Sequence, residues 1–446
     1  MTRRILILWM LTAFCRLADA SPLSDYVARP DPAYHFTIKE KLQLKRGVTG
    51  YEVELVSQVW HDITWTHVLR FVMPEKLAKD PTGAILIIGG SSRPGEKDYK
   101  YGDQLASDLA APVAILYDVP FQPLFGGLKE DKLLAETFDR YQKTGDKTWP
   151  ILLPMVKSAM RAMDALETMV KDEHKTAVSG FLVTGPSKRG WTTWLTGIVD
   201  PRVKAIVPMV YDNLNLPAQM KHQLESWGTY SKSIAAYTDK NMPQKLIDGD
   251  PEARALADII DPYVYRDALK MPKLIVNGSN DPYWTLDALN IYWNDLPGEK
   301  YVLYVPNAAH NVKEGRDEVV NTVLSFFKHM DGRIPFPKIE ASFRREQGQF
   351  RADLSSDIAP WQTTLWIAYS TTRDFRNSKW SDYNLNGEAG QYEGAVADEP
   401  ENFAAAFGEC VYVMDHVDFP LSSRVSIFGP VVPPAKREGE KGAENK

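Results

Sequence analysis

Three residues of this 446-residue chain have the types, order and local settings that acyl transfer through a nucleophilic side chain requires. Ser187 sits in Gly185-Pro-Ser-Lys-Arg-Gly190, after the apolar run Phe181-Leu-Val-Thr184 and before a tryptophan-rich stretch. A strand, a Gly-x-Ser turn and a helix make a nucleophile elbow, which lifts the hydroxyl above the sheet beside the N-terminus of the next helix. Small residues must flank such a serine, because strand and helix approach closely there. Gly185 and Gly190 meet that need. The usual pattern places the second glycine two residues after the serine, where this chain has Arg189. Taken alone, the stretch reads equally well as a serine that caps a helix from Lys188 to Ile198.

The rest of the chain decides between the two. A hydroxyl nucleophile needs a histidine base and an acid that orients the base. In strand-turn-helix hydrolases the chain order is serine, acid, histidine. Asp281 follows the apolar run Lys273-Leu-Ile-Val-Asn277, and His310 follows Tyr301-Val-Leu-Tyr-Val305. The other histidines beyond Ser187 are His222, His329 and His416, and none of them follows a strand at the right edge. Asp281 before Pro282 could simply form an Asx turn. All three residues standing in order at strand ends favours the triad Ser187, Asp281, His310.

An oxyanion needs backbone donors. The Lys188 N–H is one candidate, and the loop Gly89-Gly90-Ser91, with Gly90 and Ser91 as donors, is the other. Glycine there would let the backbone approach a substrate, although the loop also reads as an ordinary turn. Trp191, Trp284 and Trp227 lie in the same regions and are candidate substrate-binding residues; core packing is the default reading for aromatics. Histidines and acids form no ligand-spaced cluster, so no metal and no cofactor is expected.

These residues need an α/β framework. Tyr51 to Trp60 and Trp65 to Met73 alternate apolar and polar positions like a leading antiparallel pair. Ala84 to Ile88 and Val113 to Val119 are continuously apolar, as buried strands are. Leu153, Val156, Met160, Met163 and Leu166 fall at helical spacing within 151–170, and Asp317 to Met330 reads as a closing helix. No strand pattern occurs between 211 and 268, which reads as a helical cap. After the linker Pro335-Phe-Pro337, short alternating runs predict a C-terminal β-sandwich-like domain over 335–432. The α/β domain is expected over 21–334, and 433–446 is expected to be a disordered tail.

Two arginines, an apolar run over 5–14 and Ala18-Asp19-Ala20 predict a signal peptide cleaved before Ser21. The run is shorter than the about 20 residues that span a bilayer, so the mature protein is expected to be exported, periplasmic or secreted, without stable membrane insertion. The formal net charge is −6, and no basic block occurs, which argues against a nucleic-acid partner. Removal of Cys15 with the leader leaves Cys410 alone, so the fold must rest on its apolar core rather than on a disulfide.

The stretches Gly185-Pro-Ser-Lys-Arg-Gly-Trp-Thr-Thr-Trp194, Asn277-Gly-Ser-Asn-Asp-Pro-Tyr-Trp284 and Asp374-Phe-Arg-Asn-Ser-Lys-Trp380 resemble the PhoPQ-activated pathogenicity-related family. The resemblance implies an α/β-hydrolase fold and an exported protein. It also implies the link of the bacterial members to virulence regulation and antimicrobial-peptide resistance. Proline at 186 departs from the small residue expected there. Two functions remain open at this point. One is a serine hydrolase, esterase or peptidase, acting on a small-molecule or peptide substrate. The other is a catalytically silent binding or signalling protein that kept the fold.

Overall fold

The computed structural model describes residues 21–93 and 95–431. The expected leader, 1–20, and the expected tail, 433–446, lie outside the described residues.

The described residues open with helix α1 (Pro22–Ala28), whose Ser21 forms a reciprocal capping box with Ser24. An antiparallel trio follows: β1 (His35–Gln43), β2 (Val48–Trp60) and β3 (Ile63–Pro74). Next come β4 (Thr82–Ile88), α2 (Glu96–Leu109), β5 (Val113–Leu116), α3 (Glu130–Thr144) and α4 (Leu152–His174). Strand β6 (Val178–Pro186), helix α5 (Lys188–Val199) and strand β7 (Val203–Met209) complete the centre. Helices α6 (Leu216–Trp227), α7 (Ala235–Thr238), α8 (Met242–Asp248) and α9 (Pro251–Ile260) form the cap insertion. Strands β8 (Lys273–Gly278) and β9 (Lys300–Val305) and helix α10 (Arg316–Met330) close the α/β part.

Strand order in this part is β1-β2-β3-β5-β4-β6-β7-β8-β9, parallel from β5 to β9. Side chains of β4 show why its sequence is apolar throughout. Leu86 and Ile88 enter the core under α4, whereas Ile85 enters the opposite core, which α2 and α10 cover. A strand buried on both faces has no polar side to alternate. This is an α/β-hydrolase fold with a helical cap inserted between β7 and β8.

Beyond residue 338 strands are the only regular elements among the described residues. These strands are β10 (Ile339–Glu346), β11 (Gln349–Ser356), β12 (Gln362–Ser370), β13 (Ser381–Asn384) and β14 (Asn386–Glu388). They continue with β15 (Gln391–Ala397), β16 (Phe403–Met414), β17 (Val417–Ser422) and β18 (Ser426–Phe428). Strands β10-β11-β15-β14 form a separate antiparallel sheet, whose Phe350 and Leu354 pack with Leu365 and Ile367 of β12 in one core. The second layer of this sandwich does not stand apart from the main sheet. Strand β17 pairs antiparallel with β9 at Ser422 and Val302, so β17-β16-β12-β13 prolong the hydrolase sheet. That pairing covers an edge of buried strands which would otherwise expose open backbone groups.

Candidate active site

The turn at residue 187 has the strained geometry that an elbow needs. Ser187 has φ 58 and ψ −123, and its N–H donates to the Met209 carbonyl at 2.9 Å. A positive φ on a non-glycine residue costs energy and persists only where the surroundings enforce it. Here the neighbours leave no room for an alternative. A Cβ on Gly185 would lie 2.7 Å from the Arg189 Cβ and 2.8 Å from the Ile88 carbonyl oxygen. One on Gly190 would lie 2.7 Å from the Met209 oxygen. The late glycine is therefore the one that lets α5 approach β7. Arg189, at the usual glycine position, turns away and pairs with Glu130 through two nitrogens, at 2.7 and 2.8 Å. Burial by itself would push the Glu130 carboxyl up, but the guanidinium outweighs it and holds it at about 2.

The side chains of the three sequence candidates meet. His310 Nε2 lies 2.8 Å from Ser187 Oγ, and His310 Nδ1 lies 2.7 Å from Asp281 Oδ2. The other oxygen of Asp281 accepts the Tyr283 N–H at 2.8 Å, and the Tyr283 ring stacks on His310 with centroids 4.1 Å apart. Behind Asp281, the fully buried Asp212 accepts from Tyr292 Oη at 2.6 Å and Asn277 Nδ2 at 2.8 Å. Burial foremost, with a contribution from the Asp281 charge, pushes Asp212 up to about 7.

Ser187 opens onto a chamber beneath the cap, with about 810 Å³ of atom-free space, its open mouth included. The walls are almost wholly apolar: Phe138 and Trp191 on one side, Met220, Leu246, Leu256 and Ile260 from the cap on the other. Trp191 stacks on Tyr211 at 4.8 Å, and Trp284 meets Tyr211 edge-on. A short polar set stands at the serine end. Asp131 binds Lys188 Nζ at 2.7 Å, Tyr237 Oη at 3.0 Å and Tyr283 Oη at 3.2 Å. Asn213 is buried, and its Oδ1 has no hydrogen-bond partner among the described residues.

Other candidates fall elsewhere. Trp191 and Trp284 line the chamber, but Trp227 does not; it borders a separate small pocket behind Asp281, with the Arg376 guanidinium 4.0 Å over its ring. Gly90 and Ser91 do not line the chamber either. The space a Gly90 side chain would need is filled by the Arg189 guanidinium, so this glycine makes room for Arg189 rather than for a ligand. The loop nevertheless lies beside the elbow. Lys188 is the first residue of α5, where an N–H has no intrahelical acceptor. His67 is buried between Ser57 and Ser158 and is pushed down to about 4 by burial, which keeps it neutral and structural. No group of three or more potential metal ligands occurs among the described residues.

The model of the PhoPQ-activated pathogenicity-related proteins matches residues 23–376. The chain belongs to that family. Its similarity also extends to the autocrine proliferation repressor protein A of Dictyostelium discoideum, 31% identical over 403 residues, covering 84% of this chain and 79% of that protein. Among solved structures, the acetyl xylan esterase of Paenibacillus sp. R4 superposes with a TM-score of 0.48 at 14% identity, covering 68% of this chain and 90% of that one. The glucuronoyl esterase of Solibacter usitatus gives 0.41 at 14% identity, covering 69% and 91%.

Four features were missed by sequence reasoning: Asp131 with its three partners, Tyr283 against His310, the Arg189–Glu130 pair, and the Asn280 and Asn307 contacts described below. Tyr283 had a weak signal, standing two residues after Asp281 in a turn that must return toward the histidine loop. Asp131 had none, because its partners come from three distant segments.

Proposed function

We propose that this protein is an exported serine hydrolase that cleaves an ester or amide carrying an apolar group beside the scissile bond. The observation that carries the reading is the continuous hydrogen-bonded line Ser187–His310–Asp281 opening on a chamber with apolar walls. Ser187 Oγ attacks the carbonyl carbon while His310 Nε2 takes its proton. Asp281 accepts the Nδ1–H and keeps the imidazole in the tautomer whose Nε2 is free to act as base. The Lys188 N–H, at the start of α5 beside Ser187, is the donor we assign to the oxyanion. Collapse of the tetrahedral intermediate breaks the bond to the leaving group, which departs with the proton from His310. Water, deprotonated by the same imidazole, then releases the acyl group and restores the serine.

The chamber favours an aliphatic or aromatic moiety over a sugar, because its walls offer few partners for hydroxyl groups and each unpaired buried hydroxyl costs about 1–3 kcal/mol. The test is a panel of p-nitrophenyl esters from acetate to decanoate. We expect kcat/KM to rise with chain length and Leu256→Trp, which fills the chamber, to abolish the rise while acetate is still cleaved. A flat or falling profile in a protein that cleaves acetate contradicts the apolar assignment. Export rests on residues 1–20 of the sequence, and among the described residues no helix is long and apolar enough to cross a membrane. N-terminal sequencing of the protein recovered from its native cells is expected to begin at Ser21; a chain beginning at Met1 overturns export by cleavage.

A further inference from the structure

The acid and histidine of the proposed triad stand on two loops, after β8 and after β9, and both loops are held from the same distant segment. Between β12 and β13, residues 371–380 leave the C-terminal strands and run along the back of the site. Asn280, the residue before Asp281, donates through Nδ2 to three carbonyls of this segment: Phe375 at 3.1 Å, Arg376 at 3.3 Å and Ser378 at 2.8 Å. Asn307, three residues before His310, exchanges a reciprocal pair with Trp380. Its Nδ2 donates to the Trp380 carbonyl at 3.2 Å and its Oδ1 accepts the Trp380 N–H at 2.9 Å.

The two loops are also tied to each other. Ser279 Oγ accepts the Asn307 N–H at 2.8 Å, and the Asn280 N–H donates to the Ala308 carbonyl at 2.9 Å. The segment that grips them is itself anchored at both ends. Phe375 and Trp380 are buried, and Trp380 packs on Phe407 of β16 with ring centroids 5.0 Å apart. Two arginines extend the grip to the cap. Arg376 lies over Trp227 at the end of α6, and Arg373 pairs with Asp287, which also binds His222 of α6 at 2.8 Å.

Two side-chain amides bonded to four backbone carbonyls and one N–H of a single segment form a geometric template, not a general hydrophobic contact. Only backbone atoms of 375–380 make these bonds, so the template depends on the path of the segment. We propose that residues 373–380 are a strap by which the C-terminal β-region sets the separation of Asp281 and His310, with Asn280 and Asn307 as positioning residues. This gives the C-terminal region a part in the reaction although it contributes no reacting atom. The proposal rests on the serine-hydrolase reading. Displacement of a catalytic group by about 1 Å can cost a hundredfold in rate, so a slackened strap lowers turnover without emptying the substrate chamber.

The test uses the full chain with Asn280→Ala and Asn307→Ala made separately. The second-order rate of labelling by a fluorophosphonate is read by intact mass, and kcat and KM are measured on p-nitrophenyl hexanoate. We expect each variant to be labelled about tenfold or more slowly, with kcat falling in parallel and KM within about twofold of the parent. In an Asp281→Asn background, Asn280→Ala is expected to add little, because it acts through the group already removed. Labelling within twofold of the parent in a folded variant overturns the strap, as does a full multiplicative loss in the Asp281→Asn background. A fall in kcat/KM due wholly to KM does so as well. If Asn280→Ala does not fold, Asn307→Ala carries the same test on the other loop. An unlabelled parent overturns the triad reading and the strap with it; a labelled parent with unaffected variants overturns the strap alone.

Discussion

Replacing Gly190 with alanine tests whether the late glycine of the elbow holds the nucleophile in place. The added Cβ would sit 2.7 Å from the Met209 carbonyl oxygen, 3.0 Å from the Tyr211 Cβ and 3.2 Å from the Gly185 oxygen. Two of these are backbone atoms, so no rotamer change relieves the contact. Reaching ordinary separation requires helix α5 and strand β7 to part by about half an ångström or more. The Met209 carbonyl is the acceptor that pins the Ser187 N–H at 2.9 Å, so the same displacement loosens the strained turn. Overpacking of this kind costs about 1–3 kcal/mol. It also lengthens the 2.8 Å Ser187–His310 contact, which is expected to slow fluorophosphonate labelling about tenfold or more. Gly197→Ala is the control on the same helix. Its Cβ meets only side-chain atoms, Ile206 Cγ2 at 3.0 Å and Met271 Cε at 3.6 Å, and alanine gains about 1 kcal/mol of helix propensity. Urea unfolding and labelling rates of both variants check the argument. A Gly190→Ala protein with parental stability and labelling would refute it.

Three further outcomes follow from the charges. Glu130→Ala strands the buried Arg189 and is expected to cost about 1–3 kcal/mol, with the 40% exposure of the Glu130 side chain discounted; urea unfolding at pH 7 reads it. Because Glu130 is held at about 2, below its ordinary 4.5, its stabilisation is present above pH 4.5 and is lost as pH falls toward 2. The gap between parent and Glu130→Ala should therefore close with acidification, and a gap that widens contradicts the pairing. Glu409 behaves in the opposite sense: burial, the largest cause, pushes it up to about 7, so stability present below pH 4.5 is lost as pH rises toward 7. Glu409→Gln keeps an acceptor for Trp366 Nε1, now at 3.1 Å, and should raise the melting temperature at pH 8 but not at pH 4.5. An equal effect at both values would show that ionisation is not the cause.

Much of the site could be read from the chain because its logic is local. Ser187, Asp281 and His310 each follow a short apolar strand, and a parallel sheet brings strand ends to one edge. The elbow was legible even with its glycine one residue late, since the requirement is for missing side chains where backbones meet. What stayed hidden depended on contacts distant in sequence. Trp227 belongs beside Arg376, a partner 149 positions later in the numbering, which no periodicity announces. Gly90 is small on account of Arg189, a long-range steric demand that looks in sequence like an ordinary turn. Helix α3 was missed although Leu133, Leu134 and Phe138 are buried, because charged residues dominate Glu130–Thr144. Strands β13, β14 and β15 leave little signal in the sequence, because Ser381–Asn384 and Asn386–Glu388 are mostly polar and Gln391–Ala397 is rich in small residues. The join between β17 and β9 rests on one residue pair and a proline-containing strand, Val417–Ser422, which reads as a loop.

The central claim is that Ser187 is an activated nucleophile. Intact-mass spectrometry of the purified protein after exposure to a fluorophosphonate, beside a Ser187→Ala control, tests it most directly. The account predicts one adduct per chain on Ser187, absent from the control and slowed severely by His310→Ala. A well-folded protein that takes up no adduct would contradict it, and the chain would then be read as a binding protein built on a hydrolase fold.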